Sequence, residues 1–407
     1  MFIIAPKIIL TCDDEFNILE ERAILFNDNI LEIDTLENLQ KYYPQAKLIQ
    51  IPKDTLLLPA FINPHTHLEF SANNGNLVFG DFLKWLDSVF NNREILNEKA
   101  KEKLISQNIH KMLKSGTATI GEISSFGSDL KPCANSQARI VFFNEILGSN
   151  ETFLKEKEKD FLQRYNASLK FKNSKFIPAI SIHSPYSTHL KLAQFAIKLA
   201  KKNDHLLSTH FLESNHENNW LRFKKGGFKK SLAKFSKNPM PFYTPQNFLR
   251  LFKGQRTLFT HCVYFKEWDL LDKNLHSITH CVFSNRLLSK NTFKLKSALK
   301  SGINIHLGTD GSSSNISLSM LDEMRANLLI HDGFELENFA KTLLLMATNK
   351  AAKAINLNLG QIQKGKIADF SLFALPNSAN LNQLPLQFIL QSKEVLKLFI
   401  EGKEITI

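Results

Sequence analysis

The sequence predicts an α/β protein: a (β/α)8 TIM barrel carrying a small β-sandwich built from both ends of the chain. Three observations point there. Eight short apolar stretches recur through the middle of the 407 residues, segments with i, i+3, i+4 apolar spacing separate them, and both ends are rich in short strands and turns.

Taken in order, the stretches are "LLLPAFINPHTH" (56–67), "TATIGEISS" (117–125), "RIVFFNEILG" (139–148), "FIPAISIHSP" (176–185), "HLLSTHFLES" (205–214), "TLFTHCVYF" (257–265), "SITHCVFSN" (277–285) and "INIHLGTDG" (303–311). Between them, "NEKAKEKLISQNIHKMLKSG" (97–116), "HLKLAQFAIKLAKKN" (189–203) and "TFKLKSALKSG" (292–302) read as helices, two of them stopping at glycine. "ETFLKEKEKD" (151–160) reads as a solvated helix face. Short strands in 1–55 and again in 360–375 and 394–407 pair into the sandwich, so the expected boundaries are 1–55 plus 356–407 for the sandwich and 56–355 for the barrel.

Composition narrows the class. Hydrophobic content is 43% and no apolar run approaches the length of a membrane span. "MFIIAPKIIL" lacks a basic leader and a cleavage site, so it reads as a strand. Cys12, Cys133, Cys262 and Cys281 are widely spaced with no CxxC pair, which predicts free thiols in a reducing cytoplasm. The net charge of +12 is spread over scattered lysines without an aromatic-basic motif, which argues against a nucleic-acid partner. The oligomeric state stays open, a homodimer included.

The histidines are not scattered. His65, His67, His183, His210, His261 and His280 all fall near the ends of expected strands, and Asp310 ends the eighth. In a barrel the C-terminal strand ends build the site, and residues i and i+2 of a strand project to one side, so His65 and His67 enter the mouth together. Neutral imidazoles with a carboxylate are donors for Zn²⁺ or Fe²⁺. Glu69 lies beyond the end of its strand and is not expected to be a ligand. Cytidine-type zinc deaminases carry a P-C-x-x-C element, which this chain lacks.

"PAFINPHTHLEFS", "STHFLES", "THCVYF", "HCVFSNRLL" and "LGTDG", in that order, resemble the amidohydrolase superfamily, specifically its hydrolytic deaminase and chlorohydrolase branch. The resemblance covers essentially the whole chain. It implies His65, His67, His210 and Asp310 as metal ligands, with Glu213, His261 and Asp310 carrying the chemistry. The fourth strand has no lysine like the carboxylated bridge of binuclear members, which implies a single divalent ion. His183 in "HSPYS" resembles a substrate-binding histidine. His280 has no matching catalytic role and reads as a buried structural imidazole.

"NPHTHLEFSAN", "FGDFLKWLDSVFNNREIL" (79–96), "GEISSFG", "FFNEILGS" and "HCVFSNRLL" are similar to the aminodeoxyfutalosine deaminases of menaquinone synthesis. That similarity implies hydrolytic removal of the 6-amino group of 6-amino-6-deoxyfutalosine. The alternative is deamination of another purine or nucleoside: methylthioadenosine, S-adenosylhomocysteine, adenosine or guanine. The substrate is an adenine nucleoside extended to a benzoate. Trp85 is the expected wall against it, and Arg286 or the basic segment "NNWLRFKKGGFKKSLAKF" (218–235) the expected cation at its far end. Val282 stands where this branch usually has proline, so the loop bearing Ser284, Asn285 and Arg286 is expected to be less rigid or differently aimed.

Overall fold

The computed structural model describes residues 1–72, 75–92, 98–233 and 239–407. Parts of the segments singled out above (73 of the first-strand motif, 93–96 of the aromatic segment, 97 of the following helix, and 234–235 of the basic segment) lie outside them.

Eight parallel strands form one sheet in sequence order: Phe61–Thr66, Thr117–Ser124, Arg139–Ile146, Phe176–Ile182, Leu207–Phe211, Thr257–His261, His276–His280 and Asn304–Leu307. They are called the first to eighth strands below. The strands are buried almost throughout, which is why they read as continuous apolar runs and not as alternating ones. The first and eighth meet at their C-terminal ends. Asp310 N donates to His65 O at 3.1 Å, and Asn63 Nδ2 donates to Thr309 Oγ1 at 2.7 Å. At this seam a Cβ on Gly308 would stand 2.6 Å from Thr279 Cγ2, so only glycine lets the eighth strand approach its neighbours.

Helices Glu98–Lys114, Leu154–Leu169 and Leu190–Asn203 cover the first half of the barrel. The first of them is followed by Gly116 at φ 93°, and the Leu295–Lys300 helix by Gly302 at φ 78°, as the sequence suggested. Between the sixth and seventh strands there is only the short 3-10 turn Trp268–Leu270. Among the described residues, no helix is long and apolar enough to cross a membrane.

Both chain ends fold into two further sheets. One runs Ile30–Asp34, Ala23–Phe26, Phe2–Ile4, Lys47–Leu48; the other runs Lys403–Glu404, Lys397–Ile400, Phe370–Ala374, Thr55–Pro59, Ile8–Leu10, Ile18–Glu20. Ile4, Ile24 and Phe26 from the first share an apolar cluster with Ile9, Leu57, Phe370 and Phe399 from the second. The boundary differs slightly from the expected one. Thr55–Pro59 pairs with Phe370–Ala374, so the run "LLLPAFINPHTH" serves two sheets and divides at Ala60. Both halves are buried, so hydrophobicity alone carries no mark of the division.

A candidate metal and proton-transfer centre

The C-terminal strand ends converge. His65 ends the first strand and His67 follows it, with ring centroids 4.9 Å apart. His210 comes from the fifth strand, and its Nε2 lies 3.1 Å from His67 Nε2. Asp310, after the eighth strand, places Oδ1 3.4 Å from His67 Nε2 and 3.7 Å from His65 Nε2. His261, at the end of the sixth, has Nε2 3.7 Å from Glu213 Oε1 and 4.0 Å from Asp310 Oδ2. All six side chains are buried.

The backbone is bent to achieve this. His261 (φ 73°), Cys262 (φ 50°), Leu212 (φ 47°) and Asp310 (φ 60°) occupy the left-handed region, which costs a non-glycine residue roughly 1–3 kcal/mol each. Neighbours hold the strained turns. Ser214 caps the Asn215–Phe223 helix by accepting from Glu217 N, and the Glu217 carboxylate accepts from Leu212 N and Glu213 N, both at 2.9 Å. The sequence "SNHE" is a capping box whose glutamate reaches back to the turn bearing Glu213. On the other side, Ser284 and Ser314 donate to Asp310 Oδ2 at 2.6 and 2.8 Å, and Gly311 N donates to Oδ1 at 2.9 Å.

The histidines are oriented from behind. His65 Nδ1 meets Thr260 Oγ1 at 3.3 Å, and His210 Nδ1 meets the His183 carbonyl at 2.8 Å. These bonds leave Nε2 of both rings facing the cluster. His65 Nε2 has no hydrogen-bond partner although it is buried. Two facing imidazole nitrogens at 3.1 Å match what one tetrahedral ion requires, since two nitrogens each about 2.0–2.1 Å from it lie about 3.3 Å apart. Two neutral nitrogens, a third with no partner and one carboxylate oxygen therefore fit a single divalent cation.

Electrostatics separates the acids. Burial pushes the Glu213 carboxyl well above the usual range, and the nearby Asp310 and Glu217 charges add to this. Burial acts on Asp310 in the same sense, but the adjoining His65, His67 and His261 rings outweigh it and hold Asp310 well below the ordinary range. Burial lowers His67 to about 3 and His261 to about 4, so both rings are neutral at neutral pH. Two carboxyls whose surroundings push their pKa values in opposite directions, Glu213 up and Asp310 down, thus stand on either side of the His261 ring.

The cluster floors a cavity of about 700 Å³. Trp85 and His183 line it, and Trp85 Nε1 donates to Ser313 O at 2.8 Å, which fixes the indole in the wall. Tyr186 and Phe228, which sequence reasoning did not single out, also line it and stack on each other at 4.4 Å. Tyr186 lies in the loop after the fourth strand and Phe228 on the short Gly227–Leu232 helix, and an aromatic at either place is not a specific signal. Arg286 is a correction. It is exposed on the Val282–Leu288 helix and absent from the cavity wall, because that helix turns Ser284 and Asn285 inward and a residue one position on points away. Among the described residues, the Lys or Arg on the wall is Lys230, from the basic segment.

Two more expectations meet their physical reasons here. Val282 N donates to Glu323 Oε1, a bond proline lacks the hydrogen to make, so the helix start is anchored by other means and Ser284 and Asn285 reach the site. Glu69 stays outside the cluster: it accepts from the backbone of Ser125, Phe126 and Ser128 and shapes the second loop.

Comparison with known proteins agrees with this geometry. The amidohydrolase family model matches residues 56–405. An aminodeoxyfutalosine deaminase from Nitratiruptor is 41% identical over 99% of both chains, and a protein named adenosine deaminase from Helicobacter pylori is 38% identical over the same shares. The crystal structure of H. pylori aminofutalosine deaminase in complex with methylthio-coformycin superimposes over 100% of both chains with a TM-score of 0.94 at 37% identity. On motif, geometry and full-length likeness together, the chain belongs to the amidohydrolase family.

Proposed function

We propose that this protein is a metal-dependent hydrolytic deaminase that converts 6-amino-6-deoxyfutalosine and water into deoxyfutalosine and ammonia. The observation that carries the reading is the pairing of Glu213 and Asp310 across His261 in a chain that resembles an aminodeoxyfutalosine deaminase from end to end. His65, His67, His210 and Asp310 hold one divalent ion, Zn²⁺ or Fe²⁺; when bound, the ion lowers the pKa of a coordinated water and so makes a nucleophile available near neutral pH.

The chain's own residues move the protons. Glu213 gives its proton to the ring nitrogen beside C6, which makes that carbon electrophilic. His261 Nε2 orients the attacking water, and the Asp310 carboxylate takes the proton released as the C6–O bond forms. The amino group leaves as ammonia, carrying the proton that Asp310 took, as the C6–N bond breaks, and the hydrogen left on the new C6 oxygen passes to Glu213 as the carbonyl forms, restoring both acids. Trp85 and His183 hold the purine and ribose, and Lys230 meets the benzoate at the rim. The fold and its four buried, free thiols suit a cytoplasmic enzyme of menaquinone synthesis acting on a small molecule.

The Helicobacter relative named adenosine deaminase supports a second reading, in which the nucleoside carries no benzoate. The experiment measures ammonia release by the metal-loaded protein from 6-amino-6-deoxyfutalosine, adenosine, methylthioadenosine, S-adenosylhomocysteine and guanine. The highest kcat/KM is expected on the first. A higher value on any other compound overturns the substrate, and no ammonia from any of them overturns the chemistry.

A further inference from the structure

The His261 ring is the inner end of a hydrogen-bonded line that leads out of the site. His261 Nδ1 lies 2.8 Å from Asn285 Oδ1, Asn285 Nδ2 lies 3.1 Å from His280 Nδ1, and His280 Nε2 lies 2.9 Å from His331 Nε2. His261, Asn285 and His280 are at most 1% exposed; His331, at the C-cap of the Met320–Ile330 helix, is half-buried.

As a neutral ring, each imidazole carries one N–H and one acceptor nitrogen. Every bond in the line needs one donor and one acceptor. Only two proton arrangements satisfy that. In one, His261 Nδ1–H donates to Asn285 Oδ1, Asn285 Nδ2 donates to His280 Nδ1, and His280 Nε2–H donates to His331 Nε2. In the other the amide is turned over, every donor is reversed, and the hydrogen of His261 sits on Nε2.

The Asn285 amide decides between them. Its Oδ1, which can only accept, faces His261 Nδ1, and its Nδ2, which can only donate, faces His280 Nδ1. His261 therefore carries its hydrogen on Nδ1, and His280 Nδ1 accepts, which leaves the hydrogen of a neutral His280 on Nε2, toward His331 Nε2. That is the first arrangement.

We propose that His280 and His331 are positioning residues which, through Asn285, hold His261 in its Nδ1–H tautomer and so present the bare Nε2 lone pair toward Glu213 and Asp310. The inference rests on the role given to His261 above. The line turns His280 from a space-filling imidazole into the link that sets the direction of its hydrogen bonds, in the way a third group orients a catalytic histidine.

Two measurements test it. Neutron diffraction on the deuterium-exchanged, metal-loaded protein is expected to show deuterium on His261 Nδ1 and none on Nε2; this readout does not depend on which nucleoside is the substrate. Deuterium on Nε2 overturns the proposal whatever the activity. In kinetics, on whichever nucleoside is turned over best, His331→Phe is expected to lower kcat about 10-fold with KM and metal content unchanged. His331→Gln, whose carbonyl oxygen can accept from His280, is expected to restore kcat to within about threefold of the parent. A His331→Phe variant as active as the parent, or phenylalanine and glutamine variants equally impaired, overturns it.

Discussion

Glu213 and Lys230 illustrate how unequally single residues announce themselves. Glu213 lies three positions beyond His210, and its carboxyl, pushed well above the usual range by burial, is 3.7 Å from His261 Nε2. Glu213→Gln keeps the shape and removes the transferable proton, so turnover is expected to fall by roughly 10²–10⁴. Metal content by elemental analysis is expected to stay unchanged, because Glu213 is not a ligand; loss of metal would instead make it one. Lys230 is exposed on a short helix, and only the cavity around it marks it out from the other lysines. Lys230→Ala is expected to raise KM for 6-amino-6-deoxyfutalosine about 10-fold, the worth of a charge-assisted contact. It should leave KM for adenosine, which has no carboxylate, unaltered; equal changes on both substrates would refute the pairing. The sequence could propose both Arg286 and the 218–235 segment as the cation, but the choice between them depends on which side of a helix faces the cavity.

At the scale of elements, the strand ends matter through the turns that follow them. The turn after the fifth strand bends through Leu212 at φ 47° and is held by two bonds to the Glu217 carboxylate. Glutamine at 217 has one oxygen to offer and turns an N–H₂ toward a backbone N–H. Glu217→Gln is therefore expected to displace Glu213 and to lower kcat by up to about 10²-fold. Circular dichroism should show the helix content retained, which separates a misplaced acid from an unfolded chain. The capping box "SNHE" is a local pattern of a helix start that the sequence reading did not single out. Its second duty leaves no local pattern at all, because a carboxylate that reaches back across a left-handed residue depends on a φ angle that composition does not reveal. The same holds for Val282, where a missing proline reads as a loss until the Glu323 carboxylate is seen on the N–H it frees.

At the scale of the whole molecule, the barrel and the terminal sheets are tied by one buried ion pair. Arg139, at the start of the third strand, meets Asp369, which precedes the Phe370–Ala374 strand, and Glu401 receives a further bond at 3.3 Å. Arg139→Met strands the Asp369 charge and is expected to destabilise the fold by about 3–5 kcal/mol in urea unfolding; a change under 1 kcal/mol would show that water reaches the site. The pH dependence of stability is set by two opposing groups of buried residues. His67 and His306 fall from 6.5 to about 3, and His261 and His331 to about 4; each favours folding above 6.5 and loses that contribution as the pH drops toward its folded value. Asp129, Glu217 and Glu323 rise to about 8 from 3.8, 4.5 and 4.5; their contribution is complete below the unfolded value and is lost as the pH climbs to 8. Between pH 4.5 and 6.5 the two slopes largely offset. Metal-depleted protein is thus expected to be most stable across that plateau and to weaken on both sides, as denaturant midpoints against pH would show; a maximum above pH 8 would contradict it. What the sequence by itself determined is the alternation of eight buried strands with helices and the placing of His65, His67, His210, His261 and Asp310 at strand ends, because burial and period are local properties of a chain. What only the tertiary structure decided is the division of one apolar run at Ala60, the presence of Lys230 and not Arg286 on the cavity wall and the line from His261 to His331. Each of these depends on which groups barrel closure brings within hydrogen-bonding distance, across separations along the chain that no local pattern records.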